Sequence, residues 1–178
     1  MNSKKLAKKI RLHCVQMANS GGGSHIGSAL SIADILAVLY GAVLRLRPDQ
    51  PSWPNRDRFV LSKGHACAGL YAALALRGFF PMQRLEEFYV EGGSLLGHAT
   101  HKGVPGMEVS TGSLGHGLAM AVGLSVGSKR IGAPWRTYAL LSDGECDEGS
   151  IWEAAMAAPN FKLDNLYVII DKNNFQQT

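Results

Sequence analysis

The chain has 178 residues, of which 46% are hydrophobic and 18% charged, with a formal net charge of +4. That length suits one domain around a single core, and the composition excludes a disordered or fibrous chain. No apolar run approaches the ~18 residues of a membrane span, the lysine-rich start is not followed by the apolar stretch of an export signal, and Cys14, Cys67 and Cys146 lack the spacing of a disulfide framework or zinc knuckle, so a reducing cytoplasm is the expectation.

Residues 4–18 read as an amphipathic helix with Leu6, Ile10 and Met17 turned inward. Lys4, Lys5, Lys8, Lys9 and Arg11 form its solvated face; without interleaved aromatics, this cluster is not read as a nucleic-acid surface. Asn19-Ser20-Gly21-Gly22-Gly23 cannot prolong the helix and suits a loop that wraps closely around a ligand. Glycine is abundant throughout, with 21 residues, about 12% against a usual ~7%. Ser31 and Asp34 have the spacing of a capping box, ahead of an inward stripe of Ile35, Leu36, Leu39 and Val43. Pro48, Pro51 and Pro54 break regular structure. Phe59-Val60-Leu61 then reads as a short buried strand, Ser62-Lys63-Gly64-His65 as a turn, and 66–77 as an alanine-rich helix.

Two loops rich in small residues follow, 92–106 and 110–117, the second opening a helix at 118–127. Residues 137–141 form a strand, Ser142-Asp143-Gly144 a turn, 151–158 a helix and 166–170 a fully apolar strand ending in Asp171-Lys172-Asn173-Asn174. Two apolar strands joined by a helical crossover make a right-handed βαβ unit with parallel strands. The expected class is α/β: a parallel sheet with helices on both faces.

In that topology Asp143 and Asn173 follow the ends of neighbouring parallel strands, so both loop tips lie at the edge where open α/β sheets bind ligands. A carboxylate, an amide carbonyl and a nearby main-chain carbonyl are hard oxygen donors suited to Mg²⁺ or, as an alternative ion, Ca²⁺. Such an ion keeps open positions that diphosphate oxygens fill, with Gly144 admitting the backbone and the following helix offering its positive end.

Ser142-Asp143-Gly144, followed by Glu148, Glu153 and Asn173-Asn174, resembles the thiamine diphosphate and magnesium motif. Ser24-His25-Ile26-Gly27, Asp57-Arg58-Phe59-Val60-Leu61-Ser62-Lys63-Gly64-His65, Leu96-Gly97-His98 and Ser110-Thr111-Gly112-Ser113-Leu114-Gly115 stand in the order and spacing of transketolase-like enzymes. The resemblance covers nearly the whole chain and is greatest to the N-terminal subunit of split bacterial transketolases. It departs from the family at Ala99, Ser113 and His116, all toward the substrate end.

The resemblance implies that Asp143 and Asn173 ligate Mg²⁺ by side chain and Phe175 by its main-chain carbonyl. It further implies that Gly144 passes beneath the diphosphate, that His65 donates to it, and that Gly112 and Leu114 line the thiamine site. His25 and His98 match substrate-facing histidines that orient hydroxyls and move protons. Glu148 and Glu153 match acidic residues beside the dimer interface, and equally suit plain helix N-terminal carboxylates. His13 and His101 read as ordinary solvated histidines; the spacing of His98 and His101 has no third ligand to make a zinc site. Cys67 and Cys146 read as packing residues.

By the same resemblance, residues 1–178 are one diphosphate-binding domain, incomplete at its C-terminus and lacking the pyrimidine-binding domain. The implied activity is transfer of a two-carbon ketol unit from a ketose to an aldose. The implied partner is a C-terminal transketolase-like subunit, in a hetero-oligomer with two copies of each, acting on small sugars or sugar phosphates. Two alternatives stand beside it: another thiamine diphosphate-dependent carboligase, of deoxyxylulose phosphate synthase type or acting on sugars of a natural-product pathway, and a non-catalytic scaffold of the same fold.

Overall fold

The computed structural model describes residues 2–23 and 25–174. Three strands, β1 (Arg58–Leu61), β2 (Thr137–Ser142) and β3 (Leu166–Asp171), form one sheet in the order β1-β2-β3. All pairing is parallel, with Leu61 opposite Leu140 and Ser142 opposite Asp171. The pleat sends alternate residues to opposite faces. Phe59, Leu61, Tyr138 and Leu140 enter a core shared with α1 (Ser3–Gly21), α2 (Ile26–Ser31), α3 (Ala33–Val38) and α4 (Cys67–Leu76). Val60, Ala139 and Leu141 face the other way, against α5 (His116–Arg130) and α6 (Gly149–Asn160). The expected α/β sandwich is therefore present, and all three strands deliver their carboxyl ends to one edge.

Local chemistry explains the boundaries. Asn2 caps α1 by accepting from the Lys5 N–H at 2.9 Å. The helix runs through Asn19, Ser20 and Gly21, past the stop read from the sequence, and ends at Gly22, whose φ of 70° puts it in the left-handed region. A Cβ on Gly21 would lie 2.3 Å from the Phe88 carbonyl oxygen, so the close approach belongs to packing at the helix end. Gly22→Ala is expected to cost about 1 kcal/mol from the left-handed strain alone, read as a lower urea midpoint at unchanged slope. Leu6, Ile10 and Met17 are buried as expected. Nine of the ten residues of α4, all but Leu76, are buried, so it is a central helix that is apolar on every side.

Two expectations are corrected. Ser31 and Asp34 do not form a capping box: the chain breaks at Ile32 (φ −85°, ψ 0°), and neither α2 nor α3 has a side-chain cap. Asp34 instead pairs with Arg11 across the helix interface, and Ser31 turns toward the sheet edge. The inward stripe continues through Leu36 and Leu39, but Val43 lies in a π-helical turn, Leu39–Val43, and is exposed. The apolar strand at 166–170 is an outer strand among the described residues, where Tyr167, Val168 and Ile170 are 42%, 46% and 51% exposed. Tyr167 covers part of its own surface by stacking on Tyr138 at 5.0 Å between centroids.

Candidate active site

Six segments meet at the carboxyl edge of the sheet: the turns after β1 and β2, the loop after β3, the start of α2, and the loops carrying His98 and Gly112. The first follows β1. A Cβ on Gly64 would lie 2.3 Å from the Thr111 carbonyl oxygen, so only glycine lets the 110–115 loop lie against this turn. Ala99 N–H donates to the Gly64 carbonyl at 3.0 Å, Thr111 N–H to Ala99 at 3.1 Å, and Thr111 Oγ1 to the Leu61 carbonyl at 2.5 Å. These bonds bind the loops carrying His98 and Gly112 to the end of β1.

His25, at the start of α2, His65, in the turn after β1, and His98 converge. The His25 ring lies 5.1 Å from that of His65 and 5.7 Å from that of His98. The three border a cavity of about 50 Å³ together with Gly23, Gly97 and Tyr89. Ser28 Oγ and His65 Nε2 are hydrogen-bonded at 3.0 Å. The His98 carbonyl accepts from Tyr71 at 3.1 Å. Gly112 presses on the His98 ring, where an added Cβ would stand 3.0 Å from Cδ2.

Burial, reinforced by the nearby Lys63, His25 and His98, pushes the His65 imidazole down from 6.5 to about 4. Its neutral form is therefore favoured in the folded chain. The stability this contributes is full above the ordinary pKa of 6.5 and is lost as the pH falls toward 4. His65→Gln is expected to flatten the decline of the denaturation midpoint across that window, and the His65 ring resonances of the wild-type chain should stay those of a neutral imidazole at pH 5.5.

The second segment follows β2. Asp143 N–H donates to the Asp171 carbonyl at 3.2 Å, and Asp143 Oδ2 accepts from the Asn174 N–H at 2.8 Å. The two loop tips thus meet. Asn174 has a φ of 57°, which asparagine tolerates better than most residues. Burial works against the Asp143 charge, but N–H groups of Asn174, Gly144, Asp143 itself and Asn173 outweigh it and hold the carboxyl below its ordinary value. Among the described residues Asp143 Oδ1, shielded from water, has no partner at hydrogen-bond geometry. An oxygen so shielded and left without a well-aligned donor is the kind of group a cation would satisfy.

Asn173 donates its side-chain nitrogen to Asp171 Oδ2 at 3.2 Å. Gly144 opens the single turn Gly144–Asp147 beside Asp143. Leu114 is half-buried in the turn before α5, and Glu148, exposed, lies against the next residue, since a Cβ on Gly115 would be 2.8 Å from its own Cβ. Glu153 is exposed on α6. Phe175 lies outside the described residues. Burial pushes the Cys67 thiol up to about 12, and burial with neighbouring acids raises Cys146, as suits packing residues.

Sequence reasoning missed two buried struts. Glu145, fully buried, accepts from Ser62 Oγ at 2.5 Å, from the Gly115 N–H at 2.8 Å and from the Ser142 N–H at 3.4 Å. Lys63, also fully buried, reaches Asp171 at 2.7 Å, and Ser31 Oγ donates to the other Asp171 oxygen at 2.8 Å. Glu145 sits two residues after Asp143 and Lys63 two before His65; that adjacency was the one available signal.

The chain matches the family model described as transketolase, thiamine diphosphate binding domain, over residues 2–177. It is 44% identical over 170 residues to an apulose-4-phosphate transketolase subunit of Phocaeicola vulgatus, covering 96% of this chain and 60% of that one. It is 42% identical over 170 residues to a 6-deoxy-6-sulfo-D-fructose transketolase subunit of a Clostridium species, covering 96% and 62%. Among solved structures, transketolase from Campylobacter jejuni superposes with a TM-score of 0.92 at 35% identity, over 99% of this chain and 29% of that one. The chain thus spans about 60% of the length of the split-subunit relatives it matches. With the motif order, the parallel sheet and the family match all in agreement, the chain belongs to the transketolase family and carries its N-terminal thiamine diphosphate-binding domain.

Proposed function

We propose that this chain is the diphosphate-binding part of a split transketolase-like transferase, which moves a two-carbon ketol unit from a ketose to an aldose with thiamine diphosphate and Mg²⁺. The single observation that carries the reading is the meeting of the two loop tips at Asp143, whose Oδ1 is shielded from water and has no hydrogen-bond partner among the described residues. Among the described residues no three His, Cys, Asp or Glu side chains gather to hold a metal. By the family resemblance, an ion at Asp143 would take its other oxygens from the Asn173 amide, the Phe175 carbonyl, which lies outside the described residues, and the diphosphate.

When bound, thiamine diphosphate supplies the electron sink for the migrating two-carbon unit. The chain supplies one side of the site. Asp143 and Asn173 hold the ion, Gly144 leaves room for the diphosphate, and His65, with its imidazole neutral, donates one N–H to it. Gly112 and Leu114 border the thiamine ring. His25 and His98 face the sugar, orient its hydroxyls and move protons to and from its oxygens. Glu148 lies near the partner-facing side of the site.

The partner is a second subunit carrying the pyrimidine-binding domain, two copies of each in the cytoplasm; the naming of the relatives as subunits supports the existence of a partner. Those relatives act by name on modified ketoses, which supports a ketose or ketose phosphate donor here. Isothermal titration of thiamine diphosphate with and without Mg²⁺, on the wild type and on Asp143→Ala, tests the reading. Mg²⁺ should tighten binding to the wild type by at least about tenfold and have no such effect on Asp143→Ala; equal affinity in all four cases removes it. Co-purification with the partner and a screen of ketose donors against pyruvate then separates transketolase from other carboligase activity.

A further inference from the structure

We infer that Asp171 is a positioning residue: clamped by Lys63 and Ser31, it sets the rotation of the Asn173 amide and thereby the acceptor offered to the ion. The inference rests on the functional reading above. Asp171 closes β3, and its side chain is only 8% exposed. Its four polar contacts reach four different segments. Ser31, at the end of α2, donates to Oδ1 at 2.8 Å. Lys63, in the turn after β1, donates to Oδ2 at 2.7 Å. Asn173, in the loop after β3, donates Nδ2 to Oδ2 at 3.2 Å. Asp143, after β2, donates its N–H to the Asp171 carbonyl at 3.2 Å.

An amide has a donor end and an acceptor end, and they are not interchangeable. By taking the nitrogen of Asn173, an acceptor-only carboxylate fixes which end turns the other way. Asp171 can do this only if its own carboxylate is immobile, and a carboxylate held by a fully buried ammonium on one oxygen and a hydroxyl on the other is immobile. Lys63 also offsets the Asp171 charge, so the carboxylate remains buried without a second ion. The clamp ties the helix that follows His25 to the same group, since Ser31 ends that helix. Substrate-facing and ion-facing loops therefore share one anchor.

A buried ion pair that served only to hold the fold would be replaceable by neutral side chains without loss of binding. The test uses Asp171→Asn and the double variant Lys63→Met/Asp171→Asn, which removes the buried charge pair together. Three quantities are read on the full chain: the thermal midpoint, the Mg²⁺ affinity at saturating thiamine diphosphate, and the side-chain amide resonances of Asn173 in a ¹⁵N-resolved spectrum without ion or cofactor. Asp171→Asn should lose stability and weaken Mg²⁺ binding by about tenfold or more. The double variant should recover the midpoint but not the Mg²⁺ affinity, and in both the Asn173 amide pair should shift from its wild-type position. Wild-type Mg²⁺ affinity in the double variant, or unmoved Asn173 resonances, overturns the inference. A wild-type chain that shows no Mg²⁺-dependent cofactor binding overturns the functional reading instead, while the grip of Asp171 on Asn173 is judged by the resonances alone.

Discussion

Glu145→Ala should lower the unfolding free energy by about 3 kcal/mol or more, the largest single loss expected of any polar side chain at the sheet edge. The carboxylate is fully buried and accepts from Ser62 at the end of β1, from Ser142 at the end of β2 and from the Gly115 N–H at the start of α5. Truncation leaves three donors buried without an acceptor, and each such group costs about 1–3 kcal/mol. The cavity adds to that. Gln at the same position keeps one acceptor oxygen and should recover roughly half of the loss, which separates hydrogen bonding from simple space filling. Urea denaturation gives the comparison directly. Because the same carboxylate fixes the Gly115 end of the 110–115 loop, thiamine diphosphate affinity should fall along with stability; an alanine variant within about 0.5 kcal/mol of wild type would show that Glu145 is not the strut.

What the sequence made legible was whatever depended on neighbours along the chain or on the period of a strand. Phe59-Val60-Leu61 and the apolar runs of β2 and β3 announced strands, and parallel pairing then required that the residues after them share an edge. The meeting of Asp143 with the Asn173-Asn174 tip follows from that alone, since Ser142 and Asp171 are register partners. What was not legible depended on partners far away in sequence. Lys63 and Asp171 are 108 residues apart, Ser31 and Asp171 140, and nothing in a turn motif distinguishes a lysine that will be fully buried from one that will be solvated.

The Ser31 and Asp34 spacing misled for the same reason. A capping box is a local pattern, and here both side chains found stronger distant partners, Asp171 and Arg11. The apolar composition of β3 marks a strand, but composition does not say where in a sheet it lies; among the described residues it is an outer strand. Within the site, His25, His65 and His98 were singled out by family resemblance, whereas their convergence on one cavity and the depressed basicity of His65, from burial and from Lys63, are features no motif records.

Gly64→Ala should destabilise the chain by about 1–3 kcal/mol and weaken thiamine diphosphate binding at least about tenfold, although it adds a single methyl group. The added carbon would stand 2.3 Å from the Thr111 carbonyl oxygen and 2.5 Å from its carbon, both main-chain atoms that cannot rotate aside. Relief requires the 110–112 segment to move away from β1. That movement would break the ladder from Gly64 through Ala99 to Thr111 and carry Gly112 off the His98 ring, so a substitution beside His65 disturbs the opposite wall of the cavity. Gly123→Ala is the matched control. It lies inside α5 with nothing within 4 Å of an added Cβ, and should gain about 0.5–1 kcal/mol from helix propensity. Denaturation midpoints moving in opposite directions for the two substitutions, with cofactor affinity lost only for Gly64→Ala, would show that glycine is needed at the turn for contact between the loops. If both variants behave alike, the 110–115 loop is held to the sheet edge more loosely than the hydrogen bonds from Ala99 and Thr111 require.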